Sequence, residues 1–314
     1  MVDKGLYFDS ATLYYRSYYA VPESIVAPDG TPSGALRGFL DMVSTLVEQF
    51  PSSLVVFAWD DDWRPQWRVD LLNSYKAHRV SGVDESGETL EEVPDTLSEQ
   101  IFAIAEILDA IGLPRIGESG FEADDILGSL VAQIDAPADI VTGDRDLLQL
   151  VNDLTNTRVL SITKGLKKLE TFDDSAMRDK YGISGSEYVD FSVLRGDPSD
   201  GLPGVKGIGE KTAANLVKQF GSIQVLLSVL SDESIAISPS VRRNLLESVD
   251  YLERAKQVVM LRRDAHLKKN LSMPTIPKNP VQVRQLTERW GIARQVDRLL
   301  KALDIPAIRA GNDE

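Results

Sequence analysis

Through the first 180 residues, short apolar runs of strand length alternate with longer stretches whose apolar positions recur every three or four residues. Residues 4–8, 54–59 and 139–142 read as buried strands, and residues 113–116 as a shorter one. Between them, Leu36, Phe39, Leu40, Val43 and Leu46 mark one amphipathic helix and residues 97–111 another. Residues 160–168 carry three lysines and fit a hairpin or edge strand. Strand and helix in alternation predict an α/β fold, with a mostly parallel central sheet and helices on both faces.

The polar positions are as regular as the apolar ones. Each of the three longer strands runs into carboxylates: Asp9 after the first, Asp60 with Asp61 and Asp62 after the second, Asp144 and Asp146 after the third. Glu122, Asp124 and Asp125 fall in the first turn of a helix whose apolar repeat is Ile126, Leu127, Leu130, Val131 and Ile134. A helix start favours carboxylates, so capping accounts for one of these; three within four positions ask for more. Asp144 and Asp146 are two apart, which in extended backbone turns them to the same side. In an open α/β sheet, ligands bind beyond the carboxyl ends of the strands, where all these acids fall. The tyrosines between Leu13 and Tyr19 read as core packing, with Arg16 the residue among them that could reach a phosphate.

From residue 63 to 98 the alternation breaks. Trp63, Arg64, Trp67 and Arg68 are followed by a basic cluster, Lys76, His78 and Arg79, and then by an acidic Gly/Ser-containing run over 81–92, which fits either a solvated loop or a functional lid. The α/β part closes at residue 182. Residues 183–305 read as a helical lobe, with basic pairs Arg242–Arg243, Arg262–Arg263 and Lys268–Lys269, and residues 306–314 as a frayed end.

Within that lobe, Asp197 and Asp200 precede a glycine-rich turn, residues 201–213, that enters a helix over 214–220. A Gly-x-x-Gly-x-Gly turn could serve a dinucleotide, but here it joins two helices and not a strand to a helix. As a helix-hairpin-helix over 201–220 it would grip a duplex backbone without reading bases. Gly204, Gly207 and Gly209 would expose backbone N–H groups, and Lys206, Lys211 and Lys218 would add charge.

Composition narrows the chemistry. The chain has 314 residues, no cysteine and two histidines, which excludes a disulfide framework, a thiolate nucleophile and a Cys-type zinc site. No membrane span or secretory leader is visible, so a cytoplasmic monomer is expected. The net charge of -14 would repel nucleic acid, but it is unevenly spread. Residues 1–200 carry 16 Lys+Arg against 36 Asp+Glu, whereas residues 201–314 carry 18 against 12, giving -20 and +6.

Nine carboxylates, Asp9, Asp60, Glu122, Asp124, Asp125, Asp144, Asp146, Asp197 and Asp200, would therefore meet along one sheet edge. Two such charges about 4 Å apart repel by roughly 4 kcal/mol at an effective dielectric near 20, so the cluster calls for cations. Oxygen-only ligands select Mg2+ or Mn2+, and a pair of such ions suits hydrolysis of a phosphodiester.

FDSATLYYRSYYA, YKAHR, GFEADDILGSL, TGDRDLLQL and LRGDPSDGLPGVKGIGEKTAANLV follow one another in that order. With these motifs the chain, from about residue 5 to 270, resembles the 5'-nuclease family: the N-terminal 5'-3' exonuclease domain of bacterial DNA polymerase I and stand-alone flap endonucleases. The resemblance implies that the nine acids stand where the family binds two divalent ions, and that Arg16, Lys76 and Arg79 contact the cleaved strand, the latter two from the base of a helical arch. It also implies a K+ ion at the hairpin, held by backbone carbonyls at Val205 and Ile208 with help from Ser199.

Three departures stand out. The Trp59–Asp62 segment is longer by about one residue, which leaves Asp60 or Asp61 as the ligand. The arch is longer and more acidic than is common. No polymerase region follows, so a free-standing enzyme is expected. The resulting expectation is an α/β nuclease core over 1–182 with an arch at about 63–98, a DNA-binding lobe over 183–305, and hydrolysis of branched or 5'-ended duplex DNA with Asp125 and Asp144 among the catalytic acids. Two rivals are a catalytically silent DNA-junction binder and a single-strand ribonuclease of the same sheet type.

Overall fold

The computed structural model describes residues 3–84, 87, 89–267 and 271–307. Lys268 and Lys269, residues 85, 86 and 88 of the acidic run, and residues 308–314 of the end expected to fray lie outside the described residues.

Six strands form the central sheet in the order β5-β2-β1-β6-β7-β8: β1 is Gly5–Asp9, β2 Leu54–Ala58, β5 Arg115–Ile116, β6 Ala138–Thr142, β7 Thr157–Ser161 and β8 Glu170–Phe172. The strands pair in parallel except β8, which runs antiparallel to β7 at one edge. β1, β2 and β6 are buried throughout, as strands covered on both faces must be. From β1 the chain first builds outward through β2 to β5, then returns to β6 on the other side. The order therefore reverses between β1 and β6, the position at which such sheets bind ligands.

Alternate strand residues feed two cores. Tyr7, Val56, Ile140 and Val159 face one, under α5 (Ala123–Gln133), α7 (Tyr188–Arg195), α8 (Glu210–Phe220) and α11 (Val249–Val259). Leu6, Phe8, Val55, Phe57 and Val141 face the other, under α1 (Ser10–Ala20), α2 (Gly34–Gln49) and α4 (Asp95–Ile111). The remaining helices are α3 (Gln66–Leu71), α6 (Asp174–Tyr181), α9 (Ile223–Ser228), α10 (Pro239–Glu247), α12 (Pro280–Trp290) and α13 (Ala293–Ala302).

Two expectations are corrected here. The helical lobe does not run to residue 305. α12 and α13 return to the sheet and pack on α4 and α2, burying Val283, Trp290, Val296, Leu299 and Leu300 in the second core. Their apolar stripes are cover for the α/β body. The arch is helical only in part: after α3 and a short turn of 3-10 helix at Ala77–Arg79, β3 (Val80–Val83) and β4 (Thr89–Glu91) form an antiparallel ribbon. Trp63 tethers it, its indole N–H donating to the Thr89 carbonyl at 3.1 Å. Among the described residues no helix is long and apolar enough to cross a membrane.

If α13 is part of the α/β body, Leu299→Ala should cost about 2–5 kcal/mol, as for other buried leucines, and lower the urea midpoint of the main unfolding transition. A separately folded helical lobe would leave that transition where it was.

Candidate active site

Strand register brings the first acids together. Asp9 ends β1 opposite Ala58, the last residue of β2, and Phe8 lies opposite Val141 of β6, so the three strands finish level. Asp9, Asp60, Glu122, Asp124 and Asp144 all line one open cavity of about 610 Å3 at this edge, with Arg16, Lys76, Arg79 and Ser199 around it. Asp60, not Asp61, is the acid on the cavity: Asp61 is exposed and packs beside Gly117.

Asp9 both caps and faces the site. Its carboxylate accepts from the Thr12 N–H at 3.1 Å, from the Thr12 hydroxyl, and from the Thr142 hydroxyl of the neighbouring strand at 2.7 Å. Burial nonetheless raises its pKa, against those hydrogen bonds and with the Asp144 charge adding to it. Asp60 accepts from the Ala123 N–H at 2.8 Å, and burial pushes its carboxyl up to about 7 even though Lys76 opposes it. Asp124 is raised well above the carboxylate range by burial, then by Asp144 and Asp9. These acids lack enough positive charge for the water they have lost.

Glu122 differs, because it is neutralised from within. The Lys76 ammonium lies 2.6 Å from one oxygen, the Tyr75 hydroxyl donates at 2.8 and 2.9 Å, and an Arg68 nitrogen lies at 3.5 Å. Burial alone would lower the pKa of Lys76; the Glu122 carboxylate more than reverses that and keeps it a cation. Lys76 also has a φ of 46°, a left-handed conformation that costs a non-glycine residue of order 1 kcal/mol. Its own N–H, bonded to the Asp200 carbonyl at 3.1 Å, helps to hold it there.

Asp125 is not part of this rim. Adjacent helical residues are turned about 100° apart, so when Asp124 faces the cavity Asp125 faces the core. It is fully buried, and both oxygens lie in the Arg68 guanidinium fork at 2.7 Å. The Glu122 N–H at 3.1 Å and the Arg262 N–H at 2.9 Å complete its bonds. Its role is a cap and ion pair that binds α3, α5 and the segment after α11, not a cavity ligand.

The other acids gather behind Asp144. Asp146 is raised well above the carboxylate range by burial and then by Asp144, Asp200 and Asp197. Asp200 is pushed up to about 6 by burial, with Lys76 opposing. Asp197 already has its counter-charge in Arg145 at 3.0 Å and Arg195 at 3.1 Å, and it caps the turn by accepting from the Ser199 N–H. Gly201 closes this loop at φ +72°, where a Cβ would lie 2.0 Å from the Ser74 carbonyl oxygen. That close approach seats the second acid group against the base of the arch.

The hairpin follows at once. Gly204 has φ +67°, and its N–H donates to the Tyr251 hydroxyl at 3.0 Å. Lys206, Gly207, Gly209 and Lys211 are exposed, and α8 begins after its N-cap Gly209 with no side chain capping it. The Val205 carbonyl accepts from the Ile208 N–H at 3.0 Å, whereas the Ser199 carbonyl accepts from Arg79 at 3.0 Å on the cavity side, apart from the hairpin pair. Arg16 donates to the Thr163 carbonyl at the cavity wall.

Several cavity residues escape sequence reasoning. Thr12 had a signal, a hydroxyl three residues past a strand-ending Asp, but Glu91 and Trp63 had none, nor had Thr142, buried behind the cavity against Asp9. Glu91, on β4, is raised by burial with Arg79 and Lys76 opposing, so the arch brings an acid of its own to the wall. The tyrosines divide: Tyr14 is core, while Tyr15 and Tyr19 line the cavity.

The family model described as 5'-3' exonuclease, N-terminal resolvase-like domain matches residues 4–182, and that described as 5'-3' exonuclease, C-terminal SAM fold matches residues 183–281. The chain belongs to the 5'-3' exonuclease family. A 5'-3' exonuclease of Streptomyces coelicolor is 46% identical over 296 residues, 94% of this chain and 98% of that protein. One from Mycobacterium tuberculosis is 42% identical over 308 residues, 94% and 96% of the two chains. Among solved structures, the T5 flap endonuclease in a pseudo-enzyme-product complex with DNA and metal ions superposes with a TM-score of 0.61 at 17% identity, covering 96% of this chain and 99% of that one. At that identity the likeness is one of fold. The enzyme class expected from the acid rim, a nuclease, is the class of the family.

Asp125→Asn should destabilise the protein by about 3–5 kcal/mol in chemical denaturation, because it leaves the Arg68 charge buried without a partner. Asp144→Asn, which removes a charge that repels Asp9, Asp124 and Asp146, should leave stability unchanged or raise it. Equal effects of the two substitutions would contradict the division between ion pair and cavity acid.

Proposed function

We propose that the protein hydrolyses phosphodiesters at 5' flaps and 5' ends of duplex DNA with two divalent ions, Mg2+ or Mn2+, choosing its substrate by shape. What carries this reading is a rim of desolvated, incompletely neutralised acids beside a hairpin whose exposed lysines and backbone can hold a phosphate. Among the described residues no three acids converge on one point as a ready-made cage. The fit to cations therefore rests on charge and donor type, since the site offers oxygen ligands to hard ions.

Asp9, Asp60, Asp124 and Asp144 would hold one ion, and Asp144, Asp146 and Asp200 the other, with Glu122 fixing Lys76 and Asp197 orienting the loop. When bound, such ions activate water and stabilise the leaving oxygen of an in-line phosphoryl displacement. Lys76 stays protonated and so acts as a charge, not a base. It and Arg79, which reaches Asp200 at 3.4 Å, are the cations in place to share a substrate phosphate, with Arg16 across the cavity. Carbonyls carry two lone pairs, so Val205 and Ile208 can still serve a K+ ion that bridges to DNA.

Asp124→Asn and Asp144→Asn should each slow cleavage of a 5'-flap duplex in Mg2+ or Mn2+ by more than about 100-fold, beyond the usual cost of an outer-shell change. Binding of the same duplex in EDTA should persist through the hairpin. Cleavage that survives full chelation, or either variant cutting at the parental rate, would overturn the reading.

A further inference from the structure

A second basic feature lies outside the cavity and continues from the glycine turn along α8. Between α6 and α8 runs an open polar cleft of about 430 Å3, lined by Arg178 and Lys180 from α6 and by Lys211, Asn215 and Lys218 from α8. Arg178, Lys211 and Lys218 are exposed, and their side chains have no hydrogen-bond or ion-pair partner among the described residues. Lys180 is drawn partly to Glu170, 3.4 Å away. Asp179 and Glu210 also line the cleft, leaving four cations against two carboxylates.

The geometry along α8 is that of a track. Lys211, Ala214, Asn215 and Lys218 share one helix face, with alanine keeping its middle low. Seven residues at 1.5 Å rise separate the two lysines by about 10 Å, roughly three nucleotide steps of 3.4 Å along one DNA strand. The opposite wall belongs to the α/β body, because α6 packs on β8. Unpaired cations on both walls of a groove that begins at the hairpin suit a continuous polyanion, not a single small anion.

We infer that this cleft is a second phosphate station, which takes the backbone of the duplex arm after the hairpin and holds it against the α/β body. The inference rests on the DNA-cleaving function proposed above. Arg178, on α6, is the residue that distinguishes it from the hairpin alone.

The test is the salt dependence of duplex binding, measured on one branched DNA with an arm long enough to cross the cleft and on another cut back to the hairpin. Every phosphate that the protein no longer neutralises should reduce the slope of log K against log salt by about 0.9, so the Arg178→Ala variant should show a slope smaller by about 0.9 on the long arm and unchanged on the short one. Arg178→Lys should keep the slope, since it keeps the charge. An unchanged slope on the long arm, or an equal reduction on a single-stranded oligonucleotide, would overturn the inference. Failure of the unmutated protein to bind either duplex would instead overturn the proposed function on which it rests.

Discussion

The molecule is built around an electrostatic debt at the carboxyl edge of its sheet. Parallel strands that end level deliver their terminal acids to one place, and the helices that bury the strands also strip water from those acids. Carboxylates so placed either take up protons, which is the direction in which Asp9, Asp60, Asp124, Asp146 and Asp200 have moved, or are met by cations. The arrangement favours the arrival of positive charge, and that preference is the chemistry of the site.

The chain meets part of the demand itself, and it does so from the arch. Lys76 reaches Glu122 only by adopting a left-handed backbone, and Arg79 reaches the Ser199 carbonyl and Asp200 from the same short turn. Two cations at the foot of one element are thus committed to two different acid groups. On the proposed function, a competing cation at Glu122 or Asp200 would loosen the arch base and a phosphate drawn to Lys76 or Arg79 would free an acid, so substrate and metal would help each other through residues that contact both.

Much of this was legible in the residues. Asp9, Asp60 and Asp144 announce themselves because a buried strand has no other use for an acid at its end, and Asp124 because a helix start follows a turn at the same edge. Asp125 was not separable from Asp124 by pattern. Its distinguishing partner, Arg68, lies 57 residues earlier, and no local spacing connects them. The arch misled for a different reason: its residues favour a ribbon, with Val80, Val83 and Thr89 β-branched, and the helical form came from the family resemblance alone. For α12 and α13 the amphipathic stripe correctly says that one face is buried. It cannot say against what, and the answer is the far side of the sheet.

That last placement bears on how the protein holds a long, stiff ligand. Because α12 and α13 close the sheet on the side of α2 and α4, the opposite side is left to α7, α8 and α11, the helices that position the hairpin. Val205 and Ile208 are buried in the same core as Ile140 and Leu147, next to the strand end that carries Asp144. Hairpin and acid rim therefore share one packed interior, which is close to incompressible. On the proposed function, a duplex gripped at Gly204 to Gly209 would meet the cavity at a fixed distance, and the position of a cut relative to a junction would follow from the rigidity of that core, without any contact to a base.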